Sequence, residues 1–135
     1  MEDQEKCIQQ FFGEAANIIL LKDGNSSVLN GALERKIIDT LCSMCQEAFQ
    51  MPAFGVSIDK LTREEMKKGI WLRLVYESEK QCFGMGFTEL AFQVVPEYRG
   101  FNLCRLFQGE YTGRCFYLDL RGGSMSELYE VLITL

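Results

Sequence analysis

The stretch IWLRLVYESEKQCFGMGFTELAFQVVPEYRGFNLCRLFQGEYTGRCFYLDL, residues 70–120, decides the fold. Successive side chains of a strand point to opposite faces of its sheet, so apolar alternation can be read directly. Ile70, Leu72, Leu74 and Tyr76 share one side of a first run. Leu90, Phe92 and Val94 share a side of the second, and Phe116, Leu118 and Leu120 a side of the fourth. The third run, Phe101 to Gln108, has Leu103 and Phe107 on one side and Cys104 and Leu106 on the other. Four apolar rows of this kind need one common cover. The intervening segments Glu77–Gln81, Pro96–Gly100 and Gly109–Gly113 are short and rich in turn formers. They predict antiparallel neighbours, because a parallel pair needs a crossover of a dozen or more residues.

On the N-terminal side, Cys7, Ile8, Phe11, Phe12, Ala15, Ile18 and Ile19 recur at three- and four-residue steps. That spacing predicts an amphipathic helix over residues 2 to about 21. Gly13 costs such a helix about 1 kcal/mol relative to alanine, so a break there with Ala16–Leu21 as a strand is the alternative. A second helix is expected from Gly31 to Phe49, with Leu33, Ile37, Leu41, Met44, Cys45 and Ala48 on one side and Pro52 stopping it. Phe54 to Ile58 reads as a short edge strand. Thr62-Arg63-Glu64-Glu65 has the form of a capping box opening a turn or two of helix before Gly69. On the C-terminal side, Ser124-Met125-Ser126-Glu127 is a second capping box, and Leu128, Val131, Leu132 and Leu135 give its helix an apolar face. The expected architecture is α+β: two N-terminal helices, an antiparallel meander sheet of four or five strands, and a C-terminal helix packed on the sheet. Residues 1–135 read as one domain.

Bulk properties narrow the function classes. Apolar residues make up 47% of the chain and charged residues 24%, which is globular rather than disordered. The formal net charge is −5, which disfavours nonspecific nucleic-acid binding, a process that rests on lysine and arginine neutralising phosphates. The acidic start Met1-Glu2-Asp3-Gln4-Glu5 lacks the positive charge of a secretory signal, and no apolar run reaches membrane-spanning length. The expectation is a cytoplasmic protein without membrane contact, its six cysteines reduced.

Histidine is absent, which removes the commonest general base and metal ligand and argues against an enzyme. Cys42-Ser43-Met44-Cys45 is a single CxxC, while Cys7, Cys82, Cys104 and Cys115 stand apart in sequence. A zinc site wants a second close pair, so buried thiols are the expected reading. Asp23, Asn25, Ser27 and Glu34 fall at positions 1, 3, 5 and 12 of a calcium loop, but Val28 occupies the position where the turn needs glycine. Neither metal nor cofactor is expected. Glu97-Tyr98-Arg99-Gly100-Phe101 and Glu110-Tyr111-Thr112-Gly113-Arg114 resemble a repeated site, yet a meander puts their turns at opposite ends of the sheet.

The second face of the sheet carries the functional expectation. Trp71, Arg73 and Val75 alternate with the core row, as do Glu89, Ala91 and Gln93, then Cys115, Tyr117 and Asp119. Such a mixture suits a partner-binding surface built on Trp71, Arg73, Tyr117 and Asp119. The leading expectation is a non-enzymatic interaction module for a protein partner or a second copy of the chain. The alternative is a small-molecule-binding protein or enzyme, with a pocket between helices and sheet using Arg73, Arg105 or Asp119. Cover of the same face by the N-terminal helices or the Lys60 segment would remove Trp71 from any interface.

Overall fold

The computed structural model describes residues 7–51 and 55–135. A 3₁₀ helix, Ile8–Glu14, leads into the hairpin β1 (Asn17–Lys22) and β2 (Asn25–Leu29), followed by helix α1 (Gly31–Met44). Next come β3 (Phe49–Met51), β4 (Val56–Ser57) and helix α2 (Asp59–Glu65). The long strands β5 (Ile70–Cys82), β6 (Met85–Gln93) and β7 (Gly100–Phe107) follow. The short strands β8 (Glu110–Tyr111), β9 (Gly113–Arg114) and β10 (Phe116–Asp119) precede helix α3 (Ser126–Ile133). The main sheet is antiparallel with order β2-β1-β5-β6-β7-β10-β3, β8 adding to β7, and β4 pairs with β9 as a two-stranded annex.

The expected apolar rows converge on one core. Ile70, Leu72, Leu74, Tyr76, Leu90, Phe92, Val94, Leu103, Phe116, Leu118 and Leu120 are all buried in it. Their cover is α1 (Ile37, Leu41), α3 (Leu128, Leu132) and the 3₁₀ helix (Ile8, Phe11, Phe12). Phe87 is the hub of its aromatic part, meeting Phe11, Tyr76 and Phe116 edge-on at centroid distances of 5.8, 5.4 and 5.9 Å. It reaches this face because the β5–β6 register slips between Val75 and Lys80, rotating β6 so that Phe87 and Glu89 face opposite ways.

The architecture remains mixed α+β, but the expected layout of two N-terminal helices over a four- or five-stranded meander is overturned. Among the described residues only Ile8–Glu14 of the first expected helix is helical, as 3₁₀, and Asn17–Leu29 is a β-hairpin; residues 2–6 of that expectation lie outside the described residues. The physical reason is the position of β1 between β2 and β5. Ile18 and Leu20 enter the core while Leu21 is buried on the opposite face, so the apolar run has no polar alternation and imitates a helical stripe. The second helix ends at Met44, and Phe49–Met51 instead extends the sheet beyond β10. Pro52 and Phe54 lie outside the described residues.

Two local expectations are also corrected. Glu77–Gln81 is not a turn: β5 continues to Cys82, which is again buried in the core, and these mostly exposed polar residues lie at and just beyond the register slip between Val75 and Lys80. The actual turn is Phe83-Gly84, both left-handed at φ 52° and 76°, as a two-residue type I′ hairpin requires. Helix α2 begins at Asp59, which places Thr62 inside it and buried rather than at its cap.

Candidate functional site

The face of the sheet opposite the main core is covered along part of its width by α2 and the turn after it. Leu21 of β1, Trp71 of β5, Ala91 of β6 and Tyr111 of β8 form a second apolar cluster with Met66. Trp71 is only 6% exposed. Its indole N–H donates to the Lys68 carbonyl at 3.1 Å, which ties the α2 turn to the strand below. The Lys60 segment therefore covers this face, and Trp71 is packed within the chain.

Arg73 sits beside Trp71 on β5, directly opposite Ala91, and its guanidinium grips Glu89 with two hydrogen bonds of 2.9 and 2.5 Å. The Tyr111 hydroxyl donates to the same carboxylate at 2.6 Å. Glu89 is 6% exposed, and these three donor contacts supply what a buried carboxylate lacks when removed from water. The hydrogen bond to Glu89 raises the Arg73 pKa against the opposing effect of burial. Burial, then the hydrogen bond to Glu89, pushes the Tyr111 phenol above its ordinary value.

Tyr111 is held from the other side as well. Its backbone N–H donates to Asp59 at 2.8 Å, and Asp59 in turn takes a bifurcated hydrogen bond from Arg63 Nε at 2.9 and 3.0 Å. The Arg63 guanidinium lies 5.1 Å from the Tyr111 ring centre and donates to the Gly109 carbonyl at 3.1 Å. The Asp59 carboxyl is held below the usual carboxylate range, chiefly by the Tyr111 N–H and further by Arg63. A cleft of about 390 Å³ opens beside this network, lined by Leu21, Gly24, Arg63, Met66, Lys67, Arg73 and Tyr111.

Tyr117 and Asp119 lie apart from Trp71 and Arg73, on β10 opposite Asn102 and Gly100 of β7. Tyr117 covers Gly100, where any added Cβ would collide with its hydroxyl. On their other side they pair with Met51 and Phe49 of β3. The structure thus splits the four expected residues into a covered pair under α2 and a pair next to the edge strand. Asp119 accepts from the Arg121 N–H at 2.9 Å, and Arg105 donates to the carbonyls of Arg114 at 2.7 Å and Gly86 at 2.8 Å. Neither points into the Arg73 cleft.

The edge itself is the more open region. Phe49 and Met51 on β3 are exposed, as are Val56 on β4, Ile58 just before α2 and Leu61 on α2, Val56 by 69%. A groove of about 680 Å³ runs beside β3, between Phe49, Gln50 and Met51 on one side and Phe83, Gly84, Met85 and Arg114 on the other. The Arg121 guanidinium stands 5.9 Å from the centre of the Phe49 ring.

The remaining sequence candidates resolve differently. Asp23 is a hairpin residue whose carboxylate accepts from the Gly69 N–H at 2.8 Å, while Asn25 and Ser27 lie on β2 and Glu34 on α1. Cys42 is exposed and Cys45 buried at the C-terminal end of α1, where burial, then Cys42, pushes the Cys45 thiol up to about 12. Cys104 and Cys115, 11 residues apart in sequence, have their sulfurs 4.0 Å apart. Alternation places Glu89 on its observed face, whereas Tyr111, within the turn-like segment Gly109–Gly113, gives no sequence signal of its contact with Glu89. Among the described residues, no helix is long and apolar enough to cross a membrane. No family model, curated protein or solved structure matches the chain.

Proposed function

We propose that the chain is a non-enzymatic protein-interaction module whose binding surface combines the edge strand β3 with the exposed apolar residues Val56, Ile58 and Leu61 that follow it in sequence, and Tyr117 and Asp119 on the strand adjoining β3. One observation carries this reading. Of the ten large hydrophobic side chains exposed among the described residues, five fall within residues 49–61: Phe49, Met51, Val56, Ile58 and Leu61. Single exposed apolar residues are ordinary on any protein, whereas a concentration within one short stretch of chain suits a partner. The neighbouring Arg114, Arg121, Tyr117 and Met85 fit the aromatic, methionine and arginine enrichment of interface cores. Among the described residues β3 is the last strand on its side of the sheet, so a partner strand could extend the ladder there. Six free cysteines fit a reducing, cytoplasmic setting for that interaction.

A second copy of the chain is the partner to test first. Ile58→Asp combined with Leu61→Asp alters two side chains that are 58% and 55% exposed, so folding stability should change by only about 0.5 kcal/mol per site. Sedimentation velocity over a concentration series should show association in the wild type and its loss in the double variant. Binding of an apolar fluorescent dye should fall in parallel. A wild type that stays monomeric, with dye binding unaffected by the substitutions, would refute the edge as an interaction surface.

A second reading draws on the cleft beside Arg73. Arg63, Lys67 and Arg73 in its lining suit a small anionic ligand, although Asp59 and Glu89 already engage the two arginines. A rise in melting temperature with millimolar phosphate, lost in Lys67→Ala, would favour it over the edge.

A further inference from the structure

The register between β7 and β10 brings together two of the six cysteines. Phe116 pairs with Leu103, and one further step along the same register sets Cys115 opposite Cys104, with their sulfurs 4.0 Å apart. Cys115 is 4% exposed and its N–H is bonded to the Gly55 carbonyl at 3.1 Å, whereas Cys104 is only partly buried. Directly opposed residues on antiparallel strands have Cα atoms about 4.5–5.5 Å apart. That lies inside the span of about 4.4–6.8 Å which a disulfide tolerates. Bringing the sulfurs from 4.0 Å to a bond of about 2 Å therefore calls on side-chain rotation rather than strand movement.

We propose that Cys104 and Cys115 form an oxidisable dithiol, a modification site that hydrogen peroxide closes to an intramolecular disulfide. The surroundings assign the two roles. A hydrogen bond with Cys104 lowers the Cys115 pKa; burial opposes this, and Ser57 and the Arg105 guanidinium reinforce it. The same hydrogen bond and burial raise the Cys104 pKa, so Cys115 is the sulfur of the pair that ionises first. Cys115 is then the attacking thiolate and Cys104 the resolving thiol.

The Cys115 thiolate attacks one peroxide oxygen, the O–O bond breaks, and the departing hydroxide takes up a proton to become water. Cys115 is now a sulfenic acid. The Cys104 sulfur attacks the Cys115 sulfur, the S–O bond breaks as the S–S bond forms, and hydroxide leaves with the Cys104 proton as a second water. Two thiols lose two electrons and two protons, and one peroxide becomes two waters. Burial of the nucleophile selects for a small oxidant. A bulky disulfide such as oxidised glutathione meets Cys104 first, and a protonated thiol is a poor nucleophile.

The test uses the reduced full chain treated with stoichiometric hydrogen peroxide, alkylated under denaturing conditions and mapped by peptide mass spectrometry. The expected result is loss of two of the six free thiols, a cross-linked peptide joining Cys104 to Cys115, and full recovery with dithiothreitol. Oxidised glutathione at the same concentration should close the pair at least about tenfold more slowly. Cys104→Ser should leave a Cys115 sulfenic acid that dimedone captures. The wild-type map decides the question even if that variant fails to fold. Survival of all six thiols, or a cross-link joining any other pair, Cys42 and Cys45 included, would overturn the proposal. Closure by glutathione disulfide as fast as by peroxide would overturn the assignment of Cys115 as a shielded nucleophile.

Discussion

Replacing Trp71 by alanine separates folding from association. The side chain is 6% exposed among Leu21, Met66, Ala91 and Tyr111, so almost all of its surface leaves water on folding. A buried aromatic of this size removes on the order of 200 Å². At about 25 cal/mol per Å² that is roughly 5 kcal/mol, and compactness of the unfolded chain reduces it by about 10–40%. The hydrogen bond to the Lys68 carbonyl adds about 1 kcal/mol. Relaxation of α2 onto the vacated space would recover part of the loss, leaving an expected cost of about 3–5 kcal/mol. Urea unfolding of wild type and variant should show a lower midpoint with little change in slope, since the surface exposed on unfolding barely alters. Sedimentation of the still-folded variant should match the wild type. A stability loss below about 1 kcal/mol accompanied by weaker association would refute this packing and return Trp71 to the interface.

Glu89→Ala should cost about 2–4 kcal/mol in urea unfolding, because it strands the half-buried Arg73 and the Tyr111 hydroxyl together; Tyr111→Phe should cost only about 1–2 kcal/mol, since Arg73 and Glu89 stay paired. Asp59 has its folded pKa lowered, so the stability it lends is present above the unfolded value of about 3.9 and is lost as pH falls through the folded pKa. Asp59→Asn should flatten the acid limb of the urea-midpoint profile, and an unchanged limb would show that its contacts do not persist in solution. Gly84→Ala should cost about 1–2 kcal/mol by thermal unfolding, because residue 84 stands at φ 76° in open space where only the backbone conformation resists a side chain.

How far the fold was legible depended on which contacts were local in sequence. The rows beginning at Ile70, Leu90 and Phe116 follow one another through the chain, and period-2 alternation located their buried faces. The hairpin over residues 17–29 also had a local signal, Asp23-Gly24 between two strand-like runs, where the left-handed φ values of 50° and 88° now mark a type I′ turn. That signal was outweighed by the three- and four-residue spacing of Ile8, Phe11, Phe12, Ala15, Ile18 and Ile19. The spacing arose from a short 3₁₀ helix abutting a strand buried on both faces. Nothing local specifies that β1 pairs with β5, or β3 with β10, across some 50 and 70 residues of chain. Those two pairings enlarge the sheet beyond the expected meander.

The same distinction explains the site. Glu89 was placed on the correct face by alternation, but its partners come from β5 and β8, and alternation on one strand does not reveal which side chains on other strands meet it. Cys104 and Cys115 belonged to runs that had already been read as adjacent strands. Carrying the register one step beyond Phe116 opposite Leu103 would have paired them, yet sequence spacing alone made them look solitary. The expected mixed face proves to have two environments. Where α2 crosses it, Arg73, Glu89 and Tyr111 satisfy one another and Trp71 is bonded to the Lys68 carbonyl. Where the sheet ends at β3, Tyr117 and Asp119 lie beside exposed Phe49 and Met51. A composition that mixes aromatic and charged residues therefore does not distinguish an interface from a covered polar network. The distinction comes from whether each charge has its partner inside the chain, and on this face the charges nearest Trp71 do.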